Sequence, residues 1–189
     1  MRLFVALQLS AEVRETFAAL LGKLRRTDSK PRWVHPENLH ITLKFIGHVA
    51  DEKLPLICDA LAAIPVPPPM TIEFHSLGFF PNARRATVVW VGVQPLPELT
   101  ALTGRIDNAL AVCGVPPETR PFAPHLTLAR LKETRLSDVL RTQIENAQNR
   151  SFGKQAVREF HLVESELKST GAEYTTLRSF PFAAEGTDQ

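Results

Sequence analysis

Cysteine is nearly missing from this 189-residue chain. The two present, Cys58 and Cys113, show no C-x-x-C spacing and fall in helix-like stretches, which excludes a disulfide framework and predicts buried free thiols. That suits a reducing cytoplasm. No apolar run approaches a membrane span, and Leu3-Phe4-Val5-Ala6-Leu7 is too short for a signal-peptide core. The chain is therefore expected to be soluble and cytoplasmic, away from any membrane. A strong charge of one sign is lacking too: the net charge of +2 does not by itself announce a polyanionic partner. No Gly-rich phosphate loop is present, which argues against nucleotide-triphosphate use, and no serine sits in a G-x-S-x-G elbow. His35, His40 and His48 do not stand at zinc-ligand spacings, so neither a metal nor another cofactor is expected.

What is present is ordinary globular material: 44% hydrophobic and 22% charged residues, enough for one sizeable core and too little for two independent ones. Apolar spacing predicts strand, helix, strand, helix, strand, then strand, helix, strand, helix, strand, strand. Strands are predicted at about 2–9, 39–46, 70–77, 86–93, 125–131, 157–167 and 174–182. Ser10, Asp51 and Ser137 are candidate helix caps, and Pro65-Val66-Pro67-Pro68-Pro69 is a stiff connector. The order predicts an α+β fold spanning residues 1–182, bilobal, with two pseudo-symmetric antiparallel-type sheets, helices outside and a central cleft. Residues 183–189 read as a flexible tail. Basic residues cluster at Arg25, Arg26, Lys30 and Arg32, at Arg84 and Arg85, and at Arg120, Arg130, Lys132 and Arg135.

One strand-like segment occurs twice, as Leu39-His40-Ile41-Thr42-Leu43 and as Pro124-His125-Leu126-Thr127-Leu128. Residues two apart in a strand share a face, so each copy buries its aliphatic side and presents an imidazole beside a hydroxyl. A pseudo-twofold relation between the halves would face the two histidines across the cleft. Two imidazoles near neutral pH suit general acid–base catalysis, one neutral to deprotonate water and one protonated to give a proton to the leaving oxygen. The threonine hydroxyls can donate to phosphate oxygens, and a nearby guanidinium can hold developing charge. Neither motif has a carboxylate beside it.

These motifs, in the wider runs Trp33-Val34-His35-Pro36-Glu37-Asn38-Leu39-His40-Ile41-Thr42-Leu43-Lys44-Phe45-Ile46-Gly47 and Arg120-Pro121-Phe122-Ala123-Pro124-His125-Leu126-Thr127-Leu128-Ala129-Arg130, resemble the 2H phosphoesterase superfamily. Within it the chain is most similar to the bacterial and archaeal RNA 2′,3′-cyclic phosphodiesterases, historically called 2′-5′ RNA ligases. The resemblance extends to the opening Arg2-Leu3-Phe4-Val5-Ala6 and to Phe79-Phe80-Pro81 followed by Val89-Trp90-Val91-Gly92-Val93. It implies metal-independent opening of a terminal 2′,3′-cyclic phosphate to a 2′-phosphate; RNA ends or small cyclic nucleotides are the expected substrates, and the chain is expected to be a monomer. His40 and His125 match the catalytic histidines, and Thr42 and Thr127 the phosphate-binding threonines. The family pattern leans towards His40 as acid and His125 as base, although the residues themselves do not order the roles.

Other residues are placed by simpler rules. Strict alternation puts Arg130 opposite His125 and Thr127, so it reaches the phosphate only through a bulge or the strand end. Lys44 shares the face of His40 and reads as a solvated rim residue. His35, His48, His75 and His161 lack a partner threonine and read as structural or surface groups. Of the aromatics in or near loops, Phe79, Phe80, Trp33 and Phe122, the last lies closest to a motif and is the first candidate to stack a substrate base. Two rival functions are open: ligation, the reverse reaction forming a 2′-5′ linkage, which needs the same groups, and RNA binding without catalysis, which uses the basic loops alone. Water at about 55 M against scarce RNA ends favours hydrolysis over ligation, barring strong proximity effects on the bound end.

Overall fold

A computed structural model describes residues 1–131, 136–169 and 171–183. In β1 (Arg2–Gln8), Leu3, Val5 and Leu7 enter the main core while Phe4 and Ala6 point to the opposite face, as strand alternation requires. The Val13 N–H donates to Ser10 Oγ at 3.3 Å and so caps α1 (Ala11–Thr27), whose Val13, Phe17, Leu21 and Leu24 are buried. A two-residue strand, β2 (Arg32–Trp33), precedes β3 (His40–His48), α2 (Leu54–Ala62) and β4 (Met70–Phe80). Then come β5 (Val88–Val93), α3 (Pro97–Ala111) and β6 (His125–Arg130). Ser137 caps α4 (Asp138–Glu145), and β7 (Ser151–Val157), β8 (Glu159–Lys168) and β9 (Gly171–Pro181) follow.

The α+β class, the outer helices and the element order agree with the sequence reading. The sheets do not stay separate. One antiparallel sheet runs β7-β4-β5-β6-β3-β1-β8-β9, with β2 added against β6. It narrows at the centre, where β3 meets β6 through the single pair Ile41 and Leu126, both fully buried. Pairing there covers two strand edges that would otherwise present unbonded backbone groups. The helices also cross over. The helix after β1 packs against β7 and α4, beneath the second half, and the helix after β5 packs against β3 and α2, beneath the first. Each half therefore completes the other's core, and the large cluster from Leu3 to Phe182 is continuous.

Several elements differ from the expectation, β2 among them, which lies where no strand is predicted. The strand β7 was not predicted: its sequence Ser-Phe-Gly-Lys-Gln-Ala-Val lies at a sheet edge, mostly exposed, with too little apolar alternation to announce itself. β4 runs on through Gly78, Phe79 and Phe80, expected as a loop, because these residues pair with Trp90, Val89 and Val88. Asp51 opens a short 3₁₀ turn before α2 and makes no side-chain cap. Lys132, Arg135 and the tail beyond residue 183 lie outside the described residues.

Candidate active site

Both histidines stand at the first position of a central strand. Antiparallel register about Ile41 and Leu126 sets His40 towards Thr127, and Thr42 towards His125. The two histidines are then diagonal neighbours, a relation that spaces side-chain roots by about 7–8 Å, wide enough to hold a tetrahedral phosphate between them. His40, Thr42, His125 and Thr127 are all half-buried on the face opposite the main core. Neither threonine hydroxyl has a protein hydrogen-bond partner among the described residues, so both are available to a ligand.

The two imidazoles are anchored alike. His40 Nδ1 lies 2.8 Å from the Asn38 carbonyl, and His125 Nδ1 lies 2.7 Å from the Ala123 carbonyl, two residues upstream in each case. A carbonyl can only accept, so Nδ1 carries the proton and Nε2 is left as the working nitrogen. Their walls differ. His40 sits against Phe4 (ring centroids 4.7 Å apart) and the edge of Tyr174 (5.2 Å), whereas His125 meets Phe80 edge-on at 4.9 Å.

Burial pushes both imidazoles below the ordinary histidine pKa, with the Asn38 and Ala123 carbonyls opposing it in part. The positive charge of Arg130 lowers both further, and His125 additionally lowers His40. Arg130 and the two rings thus share one neighbourhood, in which two imidazolium charges oppose each other.

Arg130 reaches that neighbourhood through a bulge. Val89 pairs with Ala129 but Trp90 pairs with Thr127, which leaves Leu128 as an extra residue in β6. Leu128 and Ala129 are consecutively buried, and Arg130 emerges on the face of His125. β3 repeats the device: Val5 pairs with Lys44 and Ala6 with Thr42, so Leu43 is the extra residue. This corrects the reading of Lys44 as a solvated rim residue. The bulge turns it to the core side, where it is 6% exposed and donates to the Asp107 carboxylate and, at 2.7 Å, to the Pro116 carbonyl. Asp107 also accepts the Glu118 N–H at 3.1 Å, so Lys44 ties the first motif to the loop leading into the second. Phe45, the counterpart of Arg130, emerges on the cleft face 56% exposed, 6.3 Å from Phe4.

Phe122 is half-buried against the main core, as is Trp33, while Phe79 is buried within it. Phe80 is the loop-region aromatic in contact with a motif histidine. Sequence reasoning missed Phe45, Tyr174 and Phe4. For Phe45 a signal existed: overlaying His-Ile-Thr-Leu-Lys-Phe on His-Leu-Thr-Leu-Ala-Arg aligns it with Arg130. Of the remaining histidines, His161 is buried with Nδ1 3.0 Å from Ser179 Oγ, and His75 Nδ1 lies 2.7 Å from Ser76 Oγ. Among the described residues no group of three or more His, Cys, Asp or Glu side chains could hold a metal ion, and no helix is long and apolar enough to cross a membrane.

The family model of the 2'-5' RNA ligase superfamily matches residues 11–168. The chain is 37% identical over 182 residues to an RNA 2',3'-cyclic phosphodiesterase of Archaeoglobus fulgidus, covering 95% of this chain and 99% of that one. It is 35% identical over 183 residues to a protein of the same name from Methanothermobacter thermautotrophicus, covering 95% and 97%. Among solved structures, E. coli LigT complexed with 3'-AMP superposes with a TM-score of 0.78 at 30% identity, over 96% of this chain and 97% of that one. TT0787 of Thermus thermophilus superposes with a TM-score of 0.81 at 27% identity, over 98% and 100%.

Proposed function

Because the chain belongs to the 2'-5' RNA ligase superfamily, we propose that its cleft hydrolyses a 2′,3′-cyclic phosphate at an RNA end to a 2′-phosphate, without a metal ion. The observation that carries this reading is the twin anchoring of His40 and His125, each with Nδ1 held by a carbonyl and Nε2 free on one cleft face. The names of the Archaeoglobus and Methanothermobacter relatives support the substrate class, and the 3'-AMP held by LigT supports a nucleotide-sized cleft.

The chemistry needs one proton taken and one given. A neutral Nε2 removes a proton from water, the water oxygen bonds to phosphorus, and the bond from phosphorus to the 3′ oxygen breaks as the protonated Nε2 gives its proton to that oxygen. In the order the resemblance implies, His125 is the base and His40 the acid. Thr42 and Thr127 donate to the non-bridging oxygens, and Arg130 holds the charge that grows there. Phe45, exposed on the opposite side from Arg130, stacks the terminal base.

The test is incubation of an RNA ending in 2′,3′-cyclic phosphate with the protein and EDTA, with products read by phosphorus NMR. A 2′-phosphate product is expected. A 3′-phosphate product, or activity abolished by the chelator, contradicts the mechanism. A substrate with sulfur in place of the 3′ oxygen separates the roles, since that leaving group departs without a proton. It should restore His40→Ala and leave His125→Ala inactive.

A further inference from the structure

In the second half of the sheet, one aromatic has a setting that neither core packing nor the histidine pair explains. Trp90 is a β5 residue paired across the sheet with Thr127, so its side chain leaves the sheet one position from the phosphate-binding hydroxyl. Its six-membered ring lies over Gly78: a Cβ there would come within 2.3 Å of Trp90 Cζ2, and one at Gly92 within 3.2 Å of Cζ3. Two glycines thus leave room for an indole that stays half-exposed and outside the main core. Its N–H is covered yet has no hydrogen-bond partner, an arrangement that costs stability and that simple structural packing would avoid.

The ring walls a cavity of about 380 Å³ shared with Ser76, Gly78, Asn82, Ala83 and Gln148. Asn82 Oδ1 accepts the N–H groups of Arg84 and Arg85 at 3.0 and 3.1 Å, which leaves its amide NH₂ as a donor on the wall and holds two exposed arginines at the rim. Phe80 joins this cavity to the catalytic centre, with its ring centroid 5.2 Å from Trp90 and 4.9 Å from His125.

We infer that Trp90 and its glycine-lined cavity form a second nucleotide subsite, which stacks the base preceding the cyclic-phosphate nucleotide of an RNA strand, with Arg84 and Arg85 meeting the backbone phosphates. A flat indole accepts any base, and arginines on the rim attract the chain irrespective of sequence. The subsite therefore selects single-stranded RNA over mononucleotides without selecting a base. This inference rests on the hydrolase reading above.

The experiment compares kcat/KM for uridine 2′,3′-cyclic phosphate with that for a trinucleotide ending in the same group. Wild type should favour the trinucleotide by about tenfold or more. Trp90→Leu should bring that ratio close to one, whatever it does to the mononucleotide rate, and Trp90→Phe, which keeps a stacking face, should retain most of it. A wild-type ratio near one, with both substrates hydrolysed, overturns the subsite alone. So does an unchanged ratio in Trp90→Leu, or Trp90→Phe behaving as Trp90→Leu does. Hydrolysis of neither substrate by wild type overturns the hydrolase reading and the subsite with it.

Discussion

β3 and β6 carry the same motif, a bulge at the corresponding leucine and the same carbonyl anchor on Nδ1, yet they diverge at the two positions beyond the bulge. β6 continues Ala129-Arg130 and β3 continues Lys44-Phe45. On the cleft side this sets a cation opposite an exposed phenyl ring. On the core side it sets a methyl group opposite a buried ammonium. On the proposed mechanism the strands repeat what proton transfer needs twice and differ where the substrate is itself unequal, with phosphate at one end and a base at the other. A phosphodiester between two equal walls would have no preferred direction, and on the proposed reading the Arg130/Phe45 difference supplies one.

The comparison is tested most severely at its shared part. His40→Ala and His125→Ala should each lower kcat/KM by about 10²- to 10⁴-fold with the fold intact, checked by steady-state kinetics and circular dichroism. Either variant retaining near-wild-type rate would break the equivalence of the two strands. Arg130→Ala should lower kcat by about 10²-fold, because its charge meets the transition state more than the ground state. On the core side, Asp107→Ala leaves the Lys44 ammonium buried without its carboxylate and should cost about 3 kcal/mol in urea unfolding, while Lys44→Met with Asp107→Leu should recover most of that. Phe45→Ala should raise KM by about tenfold and leave kcat nearly unchanged. A kcat loss at Phe45 as large as that at Arg130 would show that the two sides are not specialised as described.

The smallest effect is a displacement in pH. The proposed mechanism needs one imidazole neutral and one protonated, so kcat/KM should be bell-shaped and centred midway between the two free-enzyme pKa values. Burial and Arg130 lower both, so the maximum should lie on the acid side of the usual histidine value of about 6.5. Arg130→Gln removes one of those causes and should move the maximum to higher pH, as read from full pH–rate profiles.

Much of this was legible in the residues. Period-2 and helical spacing located most elements, and the serine caps at Ser10 and Ser137 form as their positions indicated. The repeated His-x-Thr was visible because residue type and spacing recur unchanged in both halves of the chain. A bulge was one of two routes open to Arg130, but none was legible in β3, because an extra leucine in an apolar run looks like continued alternation, and Lys44 was assigned to the wrong face for that reason. Nor was the exchange of helices between halves, since amphipathic spacing says that a helix has a buried face and not which sheet covers it. Phe122 and Phe45 are found by different signals: nearness along the chain singles out the first, which is half-buried against the main core, while the exposure of the second on the cleft face follows from the fold.

The central claim is that two Nε2 atoms, on strands eighty-five positions apart, serve one phosphorus. A crystal soaked with a nucleoside 2′-phosphate tests it directly. The account predicts a phosphate within hydrogen-bond reach of both Nε2 atoms, with the Thr42 and Thr127 hydroxyls on its oxygens and Arg130 alongside. A phosphate bound to one imidazole with the other turned away, or seated outside this cleft, would contradict it.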